Sequence, residues 1–439
     1  MSKASIIGAY NTEFGAFVKK DKASGLITDT RSYYDLLIEA GRGAIRDAGL
    51  DAADIDAIYV GSCSPASFVN QEHVAPLAAE IDPALRFKPM TRCECACASS
   101  SVAFYDGIYA IESGRFRNVL VIGVEKMNLL PTPQVTHVLA CCSHWPSEGS
   151  KGWSFPALFA AYAKGYQKQY GIPDAELERM LWTTAALCYR NGAENPLAHV
   201  RNGPATADEI QKLNELDAKG KCKNVMIAPP LRLHDCSLVT DGAAALVLTS
   251  TERATGNKRA VQVAGIGHSI ERLPENVRPN MYELMAGKDA AAKAYTEAGI
   301  TAADIDFAEV HDCFTINMVL STEALGLSQD GRAGYDYLDG RFTRDDRVAI
   351  NLSGGYAQFE YVLESMAFIY LIACPVLTMR AFAEEKRSKT DQLLYSLPIR
   401  LSDVVVGKYL AMLTVSLLPV AVVSVYPLLL SGYGHVDMR

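Results

Sequence analysis

Ala44-Ile-Arg-Asp-Ala-Gly49-Leu-Asp-Ala-Ala-Asp54-Ile-Asp56 returns 250 residues later as Ala294-Tyr-Thr-Glu-Ala-Gly299-Ile-Thr-Ala-Ala-Asp304-Ile-Asp306. The register continues to Val60 over Val310 and Cys63 over Cys313, with eleven identities from Ala40 to Cys63 at this one offset. Each copy reads as a helix closed by a glycine, a short acidic turn, and an apolar strand that ends in a cysteine-bearing loop. Repetition at one register predicts a duplicated α/β chain. Its two related halves pack about a pseudo-two-fold axis, with loops from both converging on one site.

Further strands agree. Asn118-Val-Leu-Val-Ile-Gly-Val124 is an apolar run typical of a strand buried on both faces. Ala243-Ala-Ala-Leu-Val-Leu-Thr249 reads likewise, after an Asp241-Gly242 turn. Residues 125–235 mix Pro, Gly and amphipathic stretches, and read as a loop or cap region inserted into the first half. The expected organisation is a first half over 1–258, a second half over 259–355, and a different segment over 356–439. The 439 residues suffice for about three domains. With 42 basic and 50 acidic side chains, a net charge of −8 excludes a basic nucleic-acid binder. A hydrophobic content of 49% against 21% charged residues excludes a disordered chain. Eleven cysteines are too sparse for a disulfide scaffold, and Met1 to Tyr10 lacks the pattern of a signal peptide. A reducing, cytoplasmic setting is expected for residues 1–355.

The densest chemical signal is Thr91-Arg-Cys-Glu-Cys-Ala-Cys97-Ala-Ser-Ser-Ser101, ahead of a helix expected from about Ala98 to Ser113. Small residues after Cys97 permit a sharp strand-to-helix turn. Cys97 would then lie at a helix N-terminus, where free N–H groups favour a thiolate and hence a covalent nucleophile. Cys93, Cys95 and Cys97 do not have the spacing of a zinc knuckle, and no metal is expected. The second signal is Glu309-Val-His311-Asp-Cys313-Phe314, at the repeat-equivalent strand end. A histidine and a cysteine two residues apart supply a hydrogen-bond donor and a proton carrier. A similar triplet, His234-Asp235-Cys236, is set aside as a decoy.

Together the duplicated halves, Cys97-Ala-Ser-Ser, Val239-Thr-Asp-Gly-Ala-Ala-Ala245, His311-Asp-Cys-Phe314 and Asn351-Leu-Ser-Gly-Gly355 resemble the thiolase superfamily. The His-Asp-Cys-Phe form is similar to the sterol-carrier-protein-associated (SCP-x-type) branch. The resemblance covers residues 4–355. It implies α-β-α-β-α layers, a homodimer, and acyl transfer on coenzyme A thioesters as substrates, with no bound cofactor. Cys97 would carry the acyl group, His311 would help form the oxyanion hole, and Cys313 would be the acid/base. Some relatives work with a small OB-fold partner subunit, so a non-catalytic acyl-CoA-binding subunit of such a complex is the alternative. The family pattern also implies a Gly-His-Pro segment soon after Gly355, whose histidine activates the nucleophile. Here the chain runs Gly355-Tyr-Ala-Gln-Phe-Glu-Tyr361, and the one later histidine is His435. The second half therefore reads as lacking its C-terminal segment, with impaired activity. Leu187-Cys-Tyr189-Arg-Asn191 stands where a Lys-Asn-His-like stretch is expected, which puts substrate contacts from the cap in question.

Residues 356–439 read differently. Ser365–Met379 and Tyr409–Gly434 carry no charge, and Arg380, Lys386, Arg387, Lys389 and Arg400 lie between them. The second run exceeds the ~20 residues that span a bilayer. Two apolar runs about a basic loop predict a helical membrane hairpin with that loop in the cytoplasm. Pro375 to Ser388 and Leu393 to Pro398 resemble a fragment of an ABC-type transporter permease. The junction near Gly355 reads most simply as an artificial or accidental fusion. A genuine tail would place the chain at the inner membrane, as a membrane-anchored fusion.

Overall fold

The computed structural model describes residues 3–21 and 24–354. The expected membrane-type segment 356–439 and the junction at Gly355 lie outside the described residues. Among those described, no helix is long and apolar enough to cross a membrane.

Six strands form the principal sheet: β1 (Ala4–Asn11), β2 (Ala57–Gly61), β3 (Met90–Cys93), β4 (Asn118–Glu125), β5 (Gly242–Ser250) and β6 (Val261–Gln262). Their spatial order is β6-β1-β5-β4-β2-β3. Strand β2 runs parallel to β3 and β4, whereas β5 runs antiparallel to β4 and β1. Successive side chains of a strand point to opposite faces, and β4 uses both. Leu120, Ile122 and Val124 pack with Leu36, Leu37 and Ala40 of helix α1 (Tyr33–Asp47). Val119 and Val121 pack with Ala103, Ile108 and Ile111 of helix α2 (Ser99–Glu112). The sheet is thus sandwiched between two helices, which explains why β4 is apolar throughout. Each fully buried Leu or Ile there contributes roughly 1.5–3 kcal/mol.

Between β4 and β5 the chain forms helices α3 (Thr132–Ala140), α4 (Phe155–Tyr170) and α5 (Asp174–Glu194). Beyond β6 come α6 (Met285–Ala298), β7 (Phe307–Ala308), α7 (Thr315–Ala324) and β8 (Ala349–Ile350), with β7 and β8 parallel. Tyr166, Leu177 and Leu181 of α4 and α5 share one core with Met318 and Leu320 of α7 and with Ile350. The helices that interrupt the first half in sequence are therefore packed on the second.

The repeat is also a repeat of local structure. Helices α1 and α6 are followed by Gly49 and Gly299 at φ of 67° and 70°, a left-handed conformation that favours glycine. Short 3-10 turns follow at Ala52–Asp54 and Ala302–Asp304. Asp54 and Asp304 accept from the backbone N–H of Asp51 and Thr301, at 3.1 and 2.8 Å. The likeness extends further than the single offset shows. A Cβ on Gly8 would lie 2.6 Å from the Ala44 carbonyl oxygen, and one on Gly265 would lie 2.4 Å from that of Ala294. The next residues repeat the pattern: Ala9 N–H donates to Asp47 at 2.9 Å, and Ile266 N–H donates to Glu297 at 3.1 Å. In each half a glycine lets the helix end approach closely, and an acidic side chain on that helix accepts from the residue after it.

Candidate functional site

Parallel pairing puts Gly61 of β2 opposite both Cys93 of β3 and Gly123 of β4. The loops after these strands therefore leave the sheet at one level, the usual place for a site in an open α/β sheet. The first two carry Cys63 and Cys97, and Glu125 is the last residue of β4. After β3, Ala96 takes a φ of 49°. The Ala96 N–H donates to Glu94 at 2.6 Å, and the Cys95 N–H to Ser99 Oγ at 3.0 Å. The chain thus turns sharply into α2, placing Cys97 two residues before its first turn. Any side chain on Gly61 would strike the Ser100 backbone, so this close approach of the helix start needs glycine.

Cys97 is exposed, yet burial is the main influence on its thiol, which is pushed up to about 11. Charge on Cys63, Glu125 and Cys95 pushes in the same direction, and only the Cys97 backbone N–H opposes it. The expected helix-stabilised thiolate is therefore not what the structure gives. A helix terminus contributes about 0.3–1 kcal/mol at an exposed site, less than one pKa unit, and desolvation with anionic neighbours outweighs it.

The second loop follows β7. Val310 N–H donates to Asn351 Oδ1 at 2.7 Å, and Asn351 Nδ2 donates to the Val310 carbonyl at 3.1 Å. Ser353 donates to Glu309 through its backbone N–H at 3.0 Å and its hydroxyl at 2.6 Å. The Asn-x-Ser motif is thus a clamp on the strand end that leads to His311. Asn191 and Asn195 of α5 and its C-cap brace that clamp by donating to the carbonyls of Asn351 and Ser353, each at 2.9 Å. The stretch that departs from the expected cap pattern therefore ends in a supporting residue. His311 is exposed; desolvation depresses its pKa, with Asp312 opposing. Burial raises the Cys313 thiol well above its ordinary value, and the charge of Cys97 is the next influence. The Cys97 loop of one half therefore lies within electrostatic reach of the His311–Cys313 loop of the other.

The sequence reading missed several supports. Cys236 forms an antiparallel bridge with Phe314, and Ser237 N–H donates to the Cys313 carbonyl at 2.9 Å. Thr315 Oγ1 donates to buried Asp235 at 3.2 Å, and burial pushes that carboxyl up to about 7. The supposed decoy is the backing of the Cys313 loop, and its resemblance to the second triplet was the available signal. Asp241 accepts from the Met127 and Asn128 backbone N–H groups at 2.8 and 3.0 Å, and pairs with fully buried Lys126 at 3.2 Å. It ties down the chain just after Glu125. Burial pushes the Glu125 carboxyl up to about 7; Oε2 accepts from the Cys63 N–H at 2.6 Å, and Oε1 has no hydrogen-bond partner among the described residues. Cys93 is buried and donates to Asp106 at 3.3 Å. Among the described residues no three His, Cys, Asp or Glu side chains are grouped to hold a metal.

Related α/β halves that bring a cysteine loop and a His-x-Cys loop within electrostatic reach define a duplicated α/β protein with a two-cysteine site. The chain belongs to the thiolase family of acyltransferases. Residues 4–252 match the thiolase N-terminal domain, and residues 267–393 match the thiolase C-terminal domain-like family. Residues 353–434 match the ABC-2 family transporter protein, so the two matches overlap beyond Gly355. An acetyl-CoA acetyltransferase of Methanothermobacter thermautotrophicus is 35% identical over 356 residues, 81% of this chain and 85% of that protein. Sterol carrier protein 2 of Oryctolagus cuniculus is 26% identical over 347 residues, 74% of this chain and 58% of that protein. The solved Ltp2-ChsH2(DUF35) aldolase superposes with a TM-score of 0.64 at 23% identity, covering 83% of this chain and 88% of that one. At that identity the likeness concerns the fold.

Proposed function

We propose that this chain is a thiolase-type acyl-CoA C-acyltransferase that makes or cleaves a carbon–carbon bond on 3-oxoacyl-CoA or acetyl-CoA, in the cytoplasm and as a homodimer. The observation that carries this reading is that Cys97 lies within electrostatic reach of Cys313 on the His311–Cys313 loop. In this reading the Cys97 thiolate attacks the thioester carbonyl and coenzyme A leaves as a thiol. The new thioester nearly matches the old one in energy. Cys313 then takes or returns the α-proton, and the His311 ring donates to the enolate oxygen. Residues 1–258 and 259–355 are the two halves, and the region 125–235 covers the substrate.

The raised Cys97 thiol, with no cation among the influences upon it, makes this acylation slow. At pH 7 a thiol of that pKa is ionised to about one part in ten thousand. The expected result with labelled acetyl-CoA is label on the Cys97 peptide, at a rate that climbs about tenfold per pH unit from pH 7 to 10. Cys97→Ala removes the label; label persisting on the variant would sink the assignment.

The same raised thiol favours a second reading, an acyl-CoA-binding subunit of an acyltransferase or aldolase complex. The solved aldolase, whose title names a ChsH2(DUF35) component, is compatible with it. Such a subunit binds coenzyme A esters, takes up no label and yields no shortened acyl product.

A further inference from the structure

Cys63 and Cys142 are 79 residues apart in sequence, yet their sulfurs lie 3.5 Å apart. A disulfide has an S–S length of about 2.05 Å, so closure needs a shift of only about 1.5 Å. Packing beneath the pair holds the two loops together: Phe68, just past Cys63, is buried against Val135 and Val138 of α3, which leads to Cys142. The Cys63 loop is pinned by the Cys63 N–H on Glu125 at 2.6 Å and by Arg92 on the Cys63 carbonyl at 2.8 Å. Neither cysteine is fully buried. The hydrogen bond between them lowers the Cys63 thiol and raises that of Cys142, so Cys63 is the sulfur that ionises first. Both lie within electrostatic reach of Cys97.

We propose that Cys63 and Cys142 are a redox dithiol near Cys97, which a small organic disulfide oxidises to an intramolecular disulfide that restricts access to Cys97. The Cys63 thiolate attacks one sulfur of the small disulfide and releases one thiolate. Cys142 then gives up its proton and attacks the Cys63 sulfur of the mixed disulfide, releasing the second thiolate. Two protein thiols are oxidised to one disulfide, and one small disulfide is reduced to two thiols. The dithiol itself is independent of whether Cys97 carries acyl groups; its consequence for acyl transfer rests on the function proposed above.

The test uses the full chain and oxidised glutathione, with non-reducing peptide mapping and peptide-resolved iodoacetamide labelling of Cys97. Expected are a Cys63–Cys142 linked peptide and a several-fold drop in Cys97 labelling, both reversed by dithiothreitol. Cys63→Ser and Cys142→Ser each abolish the link and keep Cys97 labelling high under oxidant, while Cys141→Ser leaves the link intact. A link through Cys95, Cys97 or Cys141, glutathione adducts alone, or a correct link with unchanged Cys97 labelling would overturn the proposal. Because alkylation reads the thiol directly, failure of acyl transfer leaves this outcome unaffected.

Discussion

Helices α1 and α6 carry the same repeated motif and end on the same left-handed glycine, yet they are packed very differently. Helix α1 buries eight residues, whereas α6 buries Ala291 alone. At the shared offset, Leu36 and Leu37 of α1 become Ala286 and Gly287 of α6. Strands follow the same division: α1 lies on a six-stranded sheet, whereas the described part of the second half adds only the two-residue β6 to the edge of that sheet and pairs β7 with β8, of two residues each. Caps and turns are settled by a few adjacent residues, so a duplicated sequence reproduces them. Burial depends on what the rest of the chain lays against the helix, so duplication alone does not reproduce it.

The sharpest way to break this comparison is to cut the clamp in each half. Asp241→Ala leaves buried Lys126 with Asp29 and the Phe17 carbonyl, and removes the acceptor for residues 127 and 128. The expected cost is about 4 kcal/mol by urea unfolding. Asn351→Ala removes two neutral hydrogen bonds to Val310 and is expected to cost about 2 kcal/mol. Equal losses would mean that the two strand ends are held alike. The next contrast is between equivalent helix positions. Ile45→Ala in α1, where the side chain is 6% exposed, is expected to cost about 3 kcal/mol. Tyr295→Ala in α6 loses a half-buried ring and one hydrogen bond to the Leu325 carbonyl, at about 1 kcal/mol. A Tyr295 effect as large as that of Ile45 would show α6 to be as firmly packed as α1. The smallest effect tests what the halves share. Gly49→Ala and Gly299→Ala are both expected to cost about 1 kcal/mol, because each demands a left-handed conformation with no neighbouring atom in the way. A silent Gly299→Ala would indicate that the second half opens separately from the first.

Much of the fold was legible because its signals are local. The apolar run at 118–124 gave β4, and the small residues after Cys97 gave the turn into α2. The clamps were not legible, since Asp241 acts on residues 127 and 128, and Asn351 on Val310, across the chain. The supporting role of Asp235 and Cys236 was not legible for the same reason: the triplet's likeness to His311-Asp312-Cys313 does not show that it backs the Cys313 loop. Ionisation was misjudged because a helix terminus is visible in sequence, whereas the desolvation that outweighs it comes from neighbours gathered by folding.

The sequence by itself determined the duplication, the identity of the helices and strands, and the motifs that tie the chain to its family, because hydrophobic period, glycine caps and turn residues act over a few positions. Tertiary structure alone decided which loops meet, how far each half is buried, and that Cys63 and Cys142 come within 3.5 Å. It also showed the repeat to include Gly8 with Gly265, whose spacing differs by seven residues from the rest and so breaks the single register. Those outcomes depend on close packing and desolvation between segments far apart in the chain, quantities that no local stretch of residues contains.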